Sequence, residues 1–262
     1  MAAGNEESRT SQPTSSKMSP DDLVTSLRVA LGGELQSVVL YGSAAAGDFV
    51  PGASDYDVLI IASRLDVETL RKLSHPILQW TGFGNPAPQC FTLQELLASA
   101  DAFPIEFLDL QQSRKVIFGN DPFNSLVIAQ EHLRLQLERE LKGKLLLLRQ
   151  KCLLLLDRPN DLRNLLIASA TTFLVLSRAA LRLFQAEAPR QKVAALRDLA
   201  GHLSLDIQPI LTLVELRESG PADHGRDFNV ETLFRNYLAT LEKLVAAIDT
   251  HLHAPRKTGE SS

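Results

Sequence analysis

The chain has 262 residues, 45% of them hydrophobic and 22% charged, with 27 Lys plus Arg against 31 Asp plus Glu. That composition suits one large domain or two smaller ones, and excludes collagen-like, coiled-coil and wholly disordered chains. A formal net charge of −4 argues against duplex nucleic acid as the main partner, because phosphate binding draws on a basic excess. Two cysteines, Cys90 and Cys152, are too few for a disulfide framework or a four-cysteine zinc site, and a reduced cytoplasmic setting is expected.

Residues 1–18 are rich in Ser, Thr and Pro and have no apolar run, so a disordered tail is expected rather than a secretory signal. The first helix starts with Ser19 as N-cap, Pro20 at the first helical position and Asp21 and Asp22 at the positive end of the dipole; Gly32-Gly33 ends it. A buried strand follows at Val38–Tyr41, then a loop over 42–54, then a second strand from Asp55 to about Ala62. A helix over about 66–74 is expected to stop before Pro76. A short strand is read at 89–91, and a helix over 92–100 with Thr92 and Glu95 as a capping box. Ile105 to Leu110 reads as a further strand.

Between residues 31 and 125 there are eight Gly and six Pro, against four of each between 131 and 250. The first part therefore has many short elements and the second a few long ones. The expected fold class is an α/β (α+β) domain with a mixed sheet over 19–124, followed by an all-α helical bundle over 125–252 and a disordered tail over 253–262. Residues 125–156 read as one long helix, able to bend at Gly143 and apolar on nearly every face after 141, hence central to the bundle. Its most apolar stretch, Leu145–Leu156, is too short for a membrane span and carries Arg149 and Lys151, so no membrane role is expected. About four more helices, 161–184, 192–203, 207–218 and 230–251, complete the bundle. Its apolar surface can also hide a homodimer interface.

The chemistry is concentrated between the first two strands. An apolar strand runs into Gly42-Ser43, and after eleven further residues, the first three of them alanines, come Asp55-Tyr56-Asp57 and a second apolar strand. Alternation along a strand puts Asp55 and Asp57 on one face and Tyr56 on the other. Two adjacent carboxylates repel unless a cation neutralises them, and hard oxygen ligands suit Mg²⁺. Gly42 permits close backbone approach to a ligand, and Ser43 can hydrogen-bond a phosphate. A magnesium-bound triphosphate satisfies these features together, whereas zinc-hydrolase and serine-hydrolase motifs are absent from the sequence.

This segment resembles the signature of the DNA polymerase beta-like nucleotidyltransferase superfamily, including its minimal bacterial members and the aminoglycoside adenylyltransferases. The resemblance extends over about residues 36–155 to uncharacterised bacterial nucleotidyltransferase-domain proteins. It implies that Gly42 and Ser43 hold the nucleotide phosphates and that Asp55 and Asp57 bind two Mg²⁺ ions. It also implies a third carboxylate on a later strand, for which Glu106 is preferred over Asp109. The alanines after Ser43 depart from the Arg found there in many minimal members. The implied reaction moves a nucleoside monophosphate, AMP from ATP in the first instance, to a hydroxyl of a small molecule or protein. The alternative is a catalytically weak nucleotide-binding regulatory protein, or a toxin–antitoxin-type interaction module on the same fold. In the long helix, Arg134 and Glu138 are spaced as a surface pair, or else one of Arg134, Glu138 and Lys142 lines the acceptor cleft.

Overall fold

The computed structural model describes residues 18–46, 55–185, 187–219 and 229–253. Residues 47–54 of the expected loop, and the expected tails apart from Met18 and His253, therefore lie outside the described residues. The chain forms two compact units, one of residues up to Leu97 together with Ser113–Ser125, the other of Ala98–Gln112 together with Leu126 onward.

In the first unit, helix α1 (Pro20–Leu31) begins at Ser19, whose hydroxyl accepts from the Asp22 amide at 3.2 Å while Asp22 returns a carboxylate to the Ser19 amide at 3.1 Å. Leu23, Leu27 and Leu31 recur every fourth residue and are buried. They cover a four-stranded mixed sheet of β1 (Leu35–Tyr41), β2 (Asp57–Ala62), β3 (Gln89–Phe91) and β4 (Arg114–Gly119), in the order β3-β2-β1-β4. β1 is antiparallel to β2 and β4, and β2 is parallel to β3. Val38–Leu40 and Val58–Ala62 are all buried, as expected for the apolar middle of a sheet. The four-residue helix α2 (Ser43–Ala46) follows β1, and α4 (Leu93–Ala98) starts at the expected Thr92–Glu95 box, with the Glu95 amide donating to the Thr92 hydroxyl at 3.1 Å.

Helix α3 (Val67–Gly82) does not stop before Pro76 but runs through it. A proline inside a helix costs about 3 kcal/mol. Thr69, Leu73, Pro76 and Trp80 form one buried stripe, at spacings of four, three and four residues, and packing of that stripe offsets the lost hydrogen bond. The indole Nε1 of Trp80 donates to the Pro86 carbonyl at 2.9 Å.

The segment read as a strand at 105–110 is helix α5 (Pro104–Gln112), in the second unit. Pro104 at its start is preset for helix, Glu106 in the first turn suits the dipole, and Pro104, Phe107 and Leu110 are buried at three-residue spacing. The apolar-charged alternation at 105–107 mimicked a strand. The Gln136 side chain ties this helix down, accepting from the Ile105 amide and donating to Glu106 Oε2, both at 2.9 Å.

The remaining helices are α6 (Gln130–Leu153), α7 (Pro159–Leu181), α8 (Lys192–Leu203), α9 (Gln208–Glu218) and α10 (Val230–His253). α6 starts five residues later than expected and runs through Gly143. Its buried residues form one stripe, Leu133, Leu137, Leu141, Leu145, Leu148 and Cys152, so it flanks the bundle. The central helix is α7, which buries Leu166, Ala170, Phe173, Ser177 and Ala180 among others and packs against α6, α8, α9 and α10. Its alanines and serine let neighbours approach from several sides. α7 is long and apolar enough to cross a bilayer, and half of its most apolar stretch is buried inside the protein. Glu138 is bound by Lys142 at 2.8 Å, and Lys142 also reaches Asp249 of α10 at 2.9 Å.

Candidate active site

β1 leaves the sheet at Gly42 with φ +70°, a left-handed conformation that side chains with a Cβ resist. The neighbouring strand explains a second demand for glycine. Asp57 pairs with Tyr41 across β1 and β2, and a Cβ at residue 42 would sit 2.7 Å from Asp57 Oδ2. The bare backbone of Gly42 therefore faces the Asp57 carboxylate, joining the glycine corner to the acidic strand.

Asp55 is exposed and Asp57 half-buried. Burial, and then the charge of Asp55, push the Asp57 carboxyl above its ordinary value. Tyr41 is likewise raised, first by burial and then by Asp57. These are the marks of negative charge collected where solvent screens it poorly. Tyr56 packs toward Trp80, with ring centroids 6.1 Å apart. It sits on β2's entry, one residue before Asp57.

β4 closes the far side of β1. It ends at Gly119, with φ +75°, where a Cβ would overlap the Gln36 carbonyl oxygen. Its first residue, Arg114, forms a forked contact with Asp121, with Nε and Nη2 donating at 2.8–3.1 Å. β4 was not read from the sequence, because its Arg-Lys start and only three apolar residues give no clean alternation.

Of the expected site residues, Gly42 and Asp57 are in contact range and Asp55 adjoins them along the chain. Ser43 opens α2, and its side chain lies outside the described part. Glu106 is exposed on α5 of the second unit, so the expectation of a carboxylate within a later strand fails. Among the described strands only β2 carries a carboxylate. β3 instead sets Gln89 beside Leu59 in parallel register, on the face shared with Asp57. Among the described residues no three His, Cys, Asp or Glu side chains converge as a metal site.

Residues 27–142 match the family described as Nucleotidyltransferase domain. That stretch is under half of the chain and is what resembles a nucleotidyltransferase domain. The match spans the whole sheet, the Gly42 corner and the Asp55–Asp57 pair, and extends through α5 into α6. Among curated proteins, none matches the sequence. Among solved structures, the chain is similar to spectinomycin adenyltransferase AAD(9) from Enterococcus faecialis, determined with ATP and spectinomycin, with 15% identity and a TM-score of 0.50 over 88% of this chain and 100% of that one. At that identity the likeness is one of fold, a nucleotidyltransferase domain followed by helices. Nucleotidyl transfer is the reaction class of the domain.

Proposed function

We propose that this protein transfers AMP from ATP to a hydroxyl group of a small molecule, using Mg²⁺ held by Asp55 and Asp57. The observation that carries the proposal is the Gly42 backbone facing the Asp57 carboxylate inside a nucleotidyltransferase domain. The donor set fits the ion: Asp57 is half-buried, burial and then the charge of Asp55 raise its carboxyl above the ordinary value, and a hard divalent cation relieves both. Bound Mg²⁺, two ions in the full proposal, supplies charge neutralisation at the α-phosphate and lowers the pKa of the acceptor hydroxyl.

The protein's own part is positioning. Gly42 leaves room for phosphate oxygens beside Asp57, and Ser43, next along the chain, is proposed to donate to them. Trp80 and Tyr56 fix the strand so that both carboxylates stay on the ligand side. Glu106, exposed with Oε2 anchored by Gln136, is the proposed acceptor of the hydroxyl proton. The solved adenyltransferase makes spectinomycin the first acceptor to try.

The test is incubation with ATP labelled at the α-phosphate, Mg²⁺ and a panel of hydroxylated small molecules and proteins. Labelled acceptor is expected from the wild-type protein and none from Asp55→Asn/Asp57→Asn. Glu106→Gln should keep ATP binding and lose about 10²–10⁴-fold in transfer rate. A second reading, nucleotide binding without transfer, is favoured by the lack of a carboxylate on the described strands other than β2. Tight Mg²⁺-dependent ATP binding with no labelled product across the panel would establish that reading instead.

A further inference from the structure

Three strand ends meet at one end of the sheet. β1 finishes there at Tyr41 and Gly42, β2 begins there with Asp57, and β3 begins there with Gln89. Gln89 pairs in parallel register with Leu59, two residues on from Asp57. Alternation therefore puts Asp57, Leu59 and Gln89 on one face. Further along that face of β2, Leu59 and Ile61 are 0% and 1% exposed, so β2 is sealed there and opens at its start, where Asp57 is half-buried and Gln89 exposed. Neighbouring strands ~4.8 Å apart and a two-residue step of ~6.6 Å put the Cα atoms of Asp57 and Gln89 about 8 Å from each other. Long polar side chains at that diagonal reach one ligand held between them.

Both side chains have hydrogen-bonding capacity to give. Among the described residues nothing donates a hydrogen bond to the Asp57 carboxylate, and the Gln89 amide makes no hydrogen bond. A polyphosphate lying beside Asp57 needs donors, and the carboxylates of Asp55 and Asp57 only accept. β1, β2 and β3 contain no Lys or Arg. On β4, Arg114 pairs with Tyr41 and so shares the face, but its guanidinium is forked onto Asp121. On this face of β2 and β3, made of Asp57, Leu59, Ile61, Gln89 and Phe91, the Gln89 amide is the side chain able to donate.

We propose that Gln89 binds the nucleotide, its Nε2 donating to a phosphate oxygen of the magnesium-bound triphosphate. This rests on the nucleotide-binding reading given above and adds a requirement on charge: residue 89 must donate and must not be anionic. A carboxylate there would set a third negative charge against the phosphates, whereas an arginine would supply the same hydrogen bond with a favourable charge.

The test is calorimetric titration of MgATP into the full-length wild type, Gln89→Leu, Gln89→Glu and Gln89→Arg, with thermal melts of each protein alone. Gln89→Leu removes the amide and should weaken binding by at least about tenfold, the range for a hydrogen bond to a charged group. Gln89→Glu should bind more weakly still, and Gln89→Arg at least as tightly as the wild type. The melts should agree, because the side chain is exposed; a merely structural role would not be rescued by arginine. Equal affinity in the wild type and Gln89→Leu, or a Gln89→Arg no tighter than Gln89→Leu, overturns this proposal and leaves the Asp57 site standing. A wild type that binds no MgATP overturns both.

Discussion

Replacing Gly42 with alanine perturbs the site at a single point, and the structure sets the size of the effect. The backbone there has φ +70°, and holding a residue with a Cβ in that region costs about 1–2 kcal/mol. The added carbon would also lie 2.7 Å from Asp57 Oδ2. The flexible carboxylate must swing aside, at about 0.5–1.5 kcal/mol for leaving its rotamer. Together these give roughly 2–3 kcal/mol, a fall of about 5–10 °C in the unfolding midpoint. The displaced carboxylate no longer aims at the ligand, so Mg²⁺-dependent ATP affinity should fall by about 10–100-fold, the range for disturbed metal-ligand orientation. Calorimetric titration measures the affinity and scanning calorimetry the stability. A double-mutant cycle with Asp57→Ala isolates the contact: in that background the Gly42→Ala cost should shrink to its backbone part, a coupling of about 0.5–1.5 kcal/mol. Unchanged ATP affinity in Gly42→Ala, or no coupling to Asp57, refutes the reasoning.

Asp57 also sets a pH dependence. Its carboxyl holds a proton more tightly in the folded chain than in the unfolded one. The ligand-free protein therefore gains stability from it below the ordinary carboxylate range, and loses that contribution as pH rises through the raised value. Mg²⁺ needs the ionised form, so ATP affinity should strengthen over the same interval, and Asp57→Asn should flatten both profiles in thermal-shift and binding titrations. Gly119→Ala should be far more disruptive than most glycine substitutions: its Cβ meets the backbone carbonyl of Gln36, which cannot rotate away, and loss of the β1–β4 pairing should show as a large drop in the urea midpoint.

The α/β part followed by helices, the capped α1 and the strand-to-Gly42 corner are legible because each rests on local rules of capping, apolar runs and glycine placement. What escaped depended on packing that no local rule encodes. Pro76 stays inside α3 because Leu73 and Trp80 on either side of it are buried. The alternation of Ile105-Glu106-Phe107 suggests a strand, whereas the decisive cue is Pro104, which opens helix α5. α6 looked central because leucines surround it, but only one stripe meets the core. The burden of the centre falls on α7, whose small residues admit close neighbours.

The central claim, that Asp55 and Asp57 hold a magnesium-bound nucleotide beside Gly42, is tested most directly by titrating ATP into the wild type and into Asp55→Asn/Asp57→Asn, each with Mg²⁺ and with EDTA. The account predicts saturable binding to the wild type that needs Mg²⁺ and disappears in the double variant, while circular dichroism shows the variant folded. Equal binding by the two proteins, or wild-type binding indifferent to EDTA, would contradict it.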